Sequence, residues 1–186
     1  MISHVCREFA GFAAVGSLRE MMMIQKMLSG LLAWRKGTSM KIQIINAKAE
    51  HIEYIAANVR EADMQEMKDY ANMTPLQALE ISFYNSKGEA WTGLVDDVPV
   101  TMFGVAKPNY IWLVGTTDIH KYDKLFLMRS RKILKKLLAK HPILENYVEQ
   151  KNTRSVQWLG WLGFNMENPE PMGPNGELFI HFWRTA

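Results

Sequence analysis

The sequence has few of the residues that build metal sites or covalent cross-links. Cys6 is the only cysteine among 186 residues, so an internal disulfide and a cysteine-based zinc site are both excluded. The five histidines are scattered without ligand spacing, and we therefore expect no metal site. A Gly-x-Ser-x-Gly motif and a P-loop are also absent. The sequence therefore offers no motif for a nucleophile elbow or for a P-loop.

Long hydrophobic runs and a strong charge imbalance are missing too. No apolar run reaches the roughly 18–20 residues that cross a bilayer, so we expect no membrane span. Residues 1–39 hold five of the 22 basic and two of the 19 acidic side chains, which leaves 17 of each in residues 40–186. Residues 40–186 therefore carry no net charge. This argues against a general nucleic-acid-binding protein, whose affinity comes largely from phosphate neutralisation.

The first 39 residues are predicted to lie outside the folded domain. A linker-like Gly-Thr-Ser stretch at 37–39 is followed at once by a strand-like run. We therefore expect a disordered extension or a misassigned upstream start at 1–39, and one folded domain at 40–186. Two alternatives stay open for the extension. Phe9–Val15 has some features of a targeting signal, and Met21–Trp34 is able to form an amphipathic helix on a membrane or a partner.

Hydrophobic periodicity from residue 40 onward predicts alternating strands and helices. The predicted strands are Lys41–Ala47, Ala90–Val95, Val100–Ala106, Tyr110–Gly115, Leu144–Val148, a run starting at Phe164, and Leu178–Trp183. Helical spacing and capping residues predict helices at Ala49–Met67, Pro75–Asn85, Lys121–Lys140 and Asn152–Leu162. A Pro/Gly-rich loop is expected at 169–176. The order is β, α, α, β, β, β, α, β, α, β, β.

The most informative segment is Leu144–Phe164, where a strand precedes a capped amphipathic helix. Asn152 is a good N-cap because its side-chain oxygen can accept an N–H of the first helical turn. Gly163 can adopt the left-handed conformation that ends a helix. This arrangement resembles the last motif of the GNAT family of acyl-CoA N-acyltransferases. In that motif an Asn is followed by a small residue, then a Tyr, then Gly-Phe.

Four of the five motif positions match, namely Asn152, Ser155, Gly163 and Phe164. The fifth is Leu159, which replaces the tyrosine that is the family's usual proton donor. The predicted element order is also that of the GNAT fold. The resemblance implies an α/β (α+β) fold, with a GNAT-like mixed twisted sheet of six to seven strands flanked by about four helices. It also implies that the sheet opens into a V for acetyl-CoA, where Asn152 and Ser155 touch the cofactor.

A closer resemblance rests on the run at 126–148, on Asn152, Trp158, Leu159 and Gly163, and on the run at 175–183. These features are similar to the small GNAT-like proteins of short-tailed bacteriophages, which are internal virion or virion-assembly proteins. The resemblance implies that the partners are phage virion or assembly proteins. It places the protein in the host cytoplasm during infection or in the virion.

The segment where GNAT enzymes hold the CoA pyrophosphate lacks the required glycines. The family uses a Gly-rich loop there because side chains would block the approach of backbone N–H groups to the phosphates. Here no glycine occurs between Thr116 and Gly160, and Asp118 lies in the loop. Lys121 and Lys124 can bind phosphate as point charges, although solvated lysines are equally expected. We therefore expect no bound cofactor, or acetyl-CoA if the chain is an enzyme.

General acid and base residues are also not evident. The strand at 110–115 has no carboxylate, and Leu159 cannot donate a proton. On the next strand Glu145, Tyr147 and Glu149 share one face because alternate residues point the same way. Glu145 and Tyr147 form the best available acid–base pair. Ordinary packing of the tyrosine and solvation of the glutamates are the competing interpretations.

The sequence therefore predicts a phage GNAT-fold protein with degenerate catalytic motifs that acts through protein contacts in virion assembly. The alternative is an active acetyl-CoA-dependent N-acetyltransferase. A third hypothesis is a nucleic-acid-binding module, because residues 121–140 carry eight basic side chains and Asp123 as their one acidic residue. A solvated helix face explains such a stripe equally well.

Overall fold

The computed structural model describes residues 40–186, and the predictions for 1–39, including Phe9–Val15 and Met21–Trp34, lie outside the described residues. The strands are β1 (Ile42–Asn46), β2 (Ala90–Val95), β3 (Val98–Ala106), β4 (Tyr110–Gly115), β5 (Ile143–Glu149), β6 (Asn165–Met166), β7 (Glu170–Met172) and β8 (Glu177–Thr185). The helices are α1 (Ala49–Ala57), α2 (Glu61–Ala71), α3 (Pro75–Asn85), α4 (Asp123–Leu138) and α5 (Thr153–Trp161). A 3₁₀ helix at Thr117–Tyr122 leads into α4.

The predicted helix boundaries at Thr74, Asn152 and Gly163 are confirmed. The Thr74 hydroxyl accepts the N–H of Gln77 at 3.3 Å, and Pro75 follows at the first position of α3. The Asn152 side chain accepts the N–H of Ser155 at 3.4 Å and so caps α5. Gly163 has a φ of +79°, the left-handed conformation that ends the helix.

The eight strands form one mixed sheet in the order β1-β2-β3-β4-β5-β8-β6, with β7 paired to β8. All pairings are antiparallel except the one between β4 and β5, which is parallel. The parallel pair lies in the middle of the sheet. It is therefore the place where two antiparallel halves meet.

Helices cover both faces of the sheet, and each face has its own core. On what we call the α2 face, α1 and α3 bury Ile52, Ile55, Leu79, Ala90, Met102, Trp112 and Val114. On the α4 face, α4 and α5 bury Val105, Leu134, Leu137, Leu138, Leu144, Val148, Leu159, Leu162, Phe164, Ile180 and Phe182. Alternate residues of each central strand serve opposite faces, as the period of two requires.

The α/β class and the mixed sheet are as predicted, while three details differ. The predicted helix Ala49–Met67 is two helices, because the chain turns at Arg60, whose backbone is extended with φ −63° and ψ 143°. The helix predicted from Lys121 begins with a 3₁₀ turn. Glu170–Met172 adds a short strand within the predicted loop. The described part of the chain thus has eight strands and five helices, more than the predicted six to seven and about four.

Candidate functional site

β4 and β5 separate to form an open V. They are paired at one position, Tyr110 beside Glu145. Next to it, the Asn146 side-chain amide donates to the Ile111 carbonyl at 2.8 Å and occupies an acceptor at the edge of β4. Beyond this point a cleft of about 910 Å³ lies between the strands and continues along both faces of the sheet. The volume is in the range of small-molecule sites, which is about 300–1,000 Å³.

The wall of the V on the α2 face holds a buried ion pair. The Arg60 guanidinium lies 2.5 Å from a carboxylate oxygen of Asp63, and Asp63 is only 6% exposed. Asp63 also accepts the backbone N–H of Gly115 at 3.3 Å, and the Arg60 N–H donates to the Gly115 carbonyl at 3.1 Å. The start of α2 is therefore fixed to the C-terminal end of β4.

Glu66 lies one helical turn after Asp63 and connects α2 to the other wall. Its Oε2 accepts the Asn152 side-chain amide at 2.9 Å and the Glu149 backbone N–H at 3.3 Å. Burial raises the pKa of Glu66 to about 7, although the hydrogen bond from Asn152 opposes the shift. Both hydrogen bonds use Oε2, so Oε1 is the atom that can exchange a proton with a ligand. A pKa of about 7 lets this side chain change its charge near neutral pH.

A second carboxylate adjoins Glu66. Glu149 at the end of β5 is 2% exposed, and its Oε1 has no hydrogen-bond partner within residues 40–186. The ammonium of Lys151 is 3.6 Å away. Burial, followed by the nearby charge of Asp69, raises the pKa of Glu149. Glu66 and Glu149 are therefore neighbouring carboxyl groups that hold protons more tightly than usual, and of the two Glu66 lines the cleft.

The predicted cofactor contacts Asn152 and Ser155 both line the cleft. Their polar groups already have protein partners, because Asn152 donates to Glu66 and Arg60 approaches the Ser155 hydroxyl at 3.5 Å. A ligand that uses these two side chains must share them with α2.

Lys121 and Lys124, the predicted phosphate contacts, are exposed residues outside the cleft lining. Lys121 forms an ion pair with Asp118 at 2.8 Å. Two backbone N–H groups before them, those of Thr116 and Thr117, are also occupied. The N–H of Thr116 donates to the Val100 carbonyl at 2.9 Å, and that of Thr117 donates to the Asn58 carbonyl at 3.0 Å. The segment after β4 therefore does not offer these donors to a phosphate.

Glu145 and Tyr147, the predicted acid–base pair, lie on the α2 face, and only Tyr147 lines the cleft. Glu145 is 3.3 Å from His181 Nε2, and the Tyr147 ring lies 5.0 Å from the His181 ring. Tyr147 also lies 6.4 Å from the Tyr70 ring. Both residues are thus part of a packed cluster, and only the tyrosine is placed to reach a ligand.

On the α4 face, side chains of α4 and α5 meet above the V. Phe126 and Trp158 pack with ring centroids 5.2 Å apart. The Arg131 guanidinium lies 3.7 Å from the centre of the Trp161 ring, and Arg154 forms an ion pair with Asp123. The indole N–H of Trp158 has no hydrogen-bond partner within the described residues.

Sequence reasoning missed Arg60, Asp63 and Glu66. A signal was present, because Asp63, Glu66 and Tyr70 follow the i, i+3, i+7 spacing of one helical face. Polar residues at that spacing are usually assigned to solvent, and only the tertiary fold turns this face toward β5. Within residues 40–186 no group of three or more metal-ligating side chains is present, and no helix is long and apolar enough to cross a membrane.

The same fold is found in solved acetyltransferase structures. A GNAT-family acetyltransferase from Bacillus anthracis matches with a TM-score of 0.57 at 9% identity, over 79% of this chain and 96% of that one. Ard1 from Thermoplasma volcanium matches with a TM-score of 0.60 at 12% identity, over 78% and 97%. The PaiA N-acetyltransferase of Thermoplasma acidophilum, in complex with coenzyme A, gives 0.53 at 17% identity, over 79% and 100%.

At these identities the likeness shows the fold alone. No protein-family model and no curated protein sequence matches the chain. The chain therefore has the GNAT acetyltransferase fold.

Proposed function

We propose that this protein is an acyl-CoA-dependent N-acyltransferase in which Glu66 is the general base. The observation that carries the proposal is the open V between β4 and β5, with a carboxyl group of near-neutral pKa in its wall. A base of pKa about 7 combines a useful ionised fraction with a useful proton affinity at neutral pH. Bound acyl-CoA would supply a thioester carbonyl to an attacking amine.

In this mechanism Glu66 Oε1 accepts the proton that the amine nitrogen loses as its bond to the acyl carbon forms. Asn152 and the Glu149 N–H hold Oε2, so the carboxylate keeps its position while its charge changes. Glu66 lines the cleft, and Glu149 and Asp69 are buried carboxyl groups that do not line it. Their negative charge favours the approach of a cationic amine, which loses one proton to solvent before it attacks.

The proposed enzyme has no proton donor at Leu159, which is 6% exposed and packed in the α4-face core. General acid catalysis typically contributes about 10²–10⁴-fold. A thiol has an ordinary pKa of about 8.5, so a thiolate is able to leave without a proton. We therefore expect slow but real turnover. Tyr147, which lines the cleft, is able to supply part of the missing effect.

The test is acyl transfer by the full chain from acetyl-CoA to a panel of primary amines, followed as release of free thiol. We expect a rate that rises through pH 7 as Glu66 ionises. Glu66→Gln should lower that rate about 10²–10⁴-fold. The matched control is Glu80→Gln, which changes an exposed carboxylate outside the cleft. Equal rates for wild type and Glu66→Gln would contradict the role of Glu66.

A second proposal is a non-catalytic role in phage virion assembly through protein contacts. It is favoured by the contacts that join α2 to the start of α5, Arg60 to Ser155 and Glu66 to Asn152. These contacts occupy the side chains that the GNAT resemblance assigns to the cofactor. Absence of both acyl transfer and CoA binding in a folded protein would favour this role over the enzyme.

A further inference from the structure

One branch of the cleft runs from the V beneath α4, along the α4 face of the sheet. We call it the apolar branch, and it is lined by Ile44, Thr101, Phe103, Leu113, Leu127 and Ile133. The strand register places its four sheet residues on the same face. Ile44 and Thr101 are both opposite Gly93, and Phe103 is opposite Leu113. Leu113 is also on β4, so the branch is continuous with the V.

Two hydroxyl-bearing residues, Thr101 and its neighbour in the cleft lining Ser130, offer a ligand in the branch no free hydroxyl. Thr101 Oγ1 donates to the Val114 carbonyl at 2.9 Å. Ser130, which lines the cleft beside Ile133, donates to the Phe126 carbonyl at 2.6 Å. Both groups are satisfied by backbone within the protein. The branch therefore fits a hydrocarbon, which forms no hydrogen bonds, better than it fits a polar group.

The charged groups on this side of the cleft are Asp123 and Arg129 of α4 and Arg154 near the start of α5, and Arg154 is paired with Asp123. His120 of the 3₁₀ helix also lines the cleft there. Charged groups near an apolar interior suit a ligand with an ionic head and a hydrocarbon tail. An acetyl group fills little of a cleft of about 910 Å³.

We infer that the apolar branch binds the acyl chain of the thioester, and that the preferred donor carries a medium or long hydrocarbon chain. This inference rests on the proposed acyltransferase function and specifies its substrate. Because each buried methylene contributes about 0.8 kcal/mol, each added carbon should tighten binding about fourfold until the branch is full. The free energy gained by burying the acyl chain then offsets the weak binding of the CoA pyrophosphate.

The test is titration calorimetry of the full chain with free CoA and with acetyl-, butyryl-, hexanoyl- and octanoyl-CoA. We expect the dissociation constant to fall about fourfold per methylene along the series. Leu113→Trp, which fills the branch beside the V, should flatten the series. Leu178→Trp is the matched control, because Leu178 is 43% exposed and does not line the cleft.

A second variant covers the case in which Leu113→Trp does not fold. Ser130→Leu removes a hydroxyl bonded only within its own helix and adds volume to the branch, so it should flatten the series in the same way. Equal affinity for all the thioesters would overturn the inference and leave the proposed function standing. No binding of CoA or of any thioester to the folded chain would overturn both.

Discussion

The two sides of the V differ in the chemical character of the residues that face a ligand. On the α2 face, Arg60, Asp63 and Glu66 are charged or titrating groups that hydrogen-bond across the V. On the α4 face, the packed rings of Phe126 and Trp158 and the side chains of the apolar branch provide mainly hydrocarbon. The first arrangement depends on charge and pH, and the second depends on shape and buried area. One face is thus suited to proton transfer and the other to binding.

The comparison is tested most strongly by breaking the buried ion pair. Arg60→Met leaves Asp63 as a buried charge without its partner, and such a change typically costs about 3–5 kcal/mol in the free energy of unfolding. The matched control is Lys41→Met, which breaks the exposed pair with Asp97 and should cost at most about 1 kcal/mol. Urea denaturation of both variants measures the difference. Equal losses would mean that the α2 face is not fixed by this pair.

The pH dependence of stability sharpens the same contrast. Burial raises the pKa of Glu66 from 4.5 to about 7, so between these values the native protein binds a proton that the unfolded chain has released. The stabilisation from Glu66 is therefore complete below pH 4.5 and is lost as the pH rises through 7. It amounts to at most about 3 kcal/mol.

A glutamine at position 66 cannot ionise. The free energy of unfolding of Glu66→Gln should therefore lack the decrease that Glu66 causes as the pH rises. Denaturation of wild type and variant between pH 4 and 9 should give curves that diverge above pH 5, with the variant relatively more stable at high pH. Parallel curves would show that Glu66 has an ordinary pKa in the native protein. Glu80→Gln, at an exposed position, should leave the slope unchanged.

Asn152→Ala should cost more than the loss of a helix cap alone. Asn152 caps α5 and also donates to Glu66, whereas Thr74 has only local partners at the start of α3. Loss of a cap costs about 0.5–2 kcal/mol. We therefore expect Thr74→Ala to lower the free energy of unfolding by an amount in that range. Asn152→Ala should lower it by about 1 kcal/mol more, because a hydrogen bond to Glu66 is lost as well. If the two variants lose equal stability, the bond between Asn152 and Glu66 contributes nothing.

The smallest effect is expected from the basic stripe of α4. Lys132, Lys135 and Lys136 are all exposed, so replacing them by Glu should leave the fold intact. DNA affinity should be weak before and after the change. A submicromolar affinity that falls steeply with added salt would instead support the nucleic-acid hypothesis, because such a slope reports several phosphate contacts.

Local signals predicted most of the fold, because they depend on residues close in sequence. Thr74-Pro75 and Asn152 start helices, and Gly163 ends one, through contacts within a few residues. The break at Arg60 was not predicted. It arises from a long-range contact, in which the Arg60 N–H bonds to the Gly115 carbonyl. Periodicity in the sequence carries no information on such a bond.

The candidate site was predicted less well, for the same reason. The motif resemblance located Asn152 and Ser155 in the cleft, and period two located Tyr147 on its face. Neither signal located Glu66. The pKa of Glu66 is set by burial against β5, a strand about 80 residues further along the chain. The phage role remains a prediction from resemblance, and the extension at 1–39 remains a prediction from the linker-like stretch at 37–39.

The central claim is that the V binds a CoA thioester, and titration of the full chain with acetyl-CoA tests it most directly. We predict saturable binding at one site with a dissociation constant near the millimolar range, because losing two charge-assisted hydrogen bonds at the pyrophosphate costs about 3–6 kcal/mol. Leu113→Trp fills only the apolar branch and should leave this binding, and so should Lys121→Ala with Lys124→Ala. Absence of binding to the folded chain would contradict the account, and so would low-micromolar binding that the two lysine substitutions abolish.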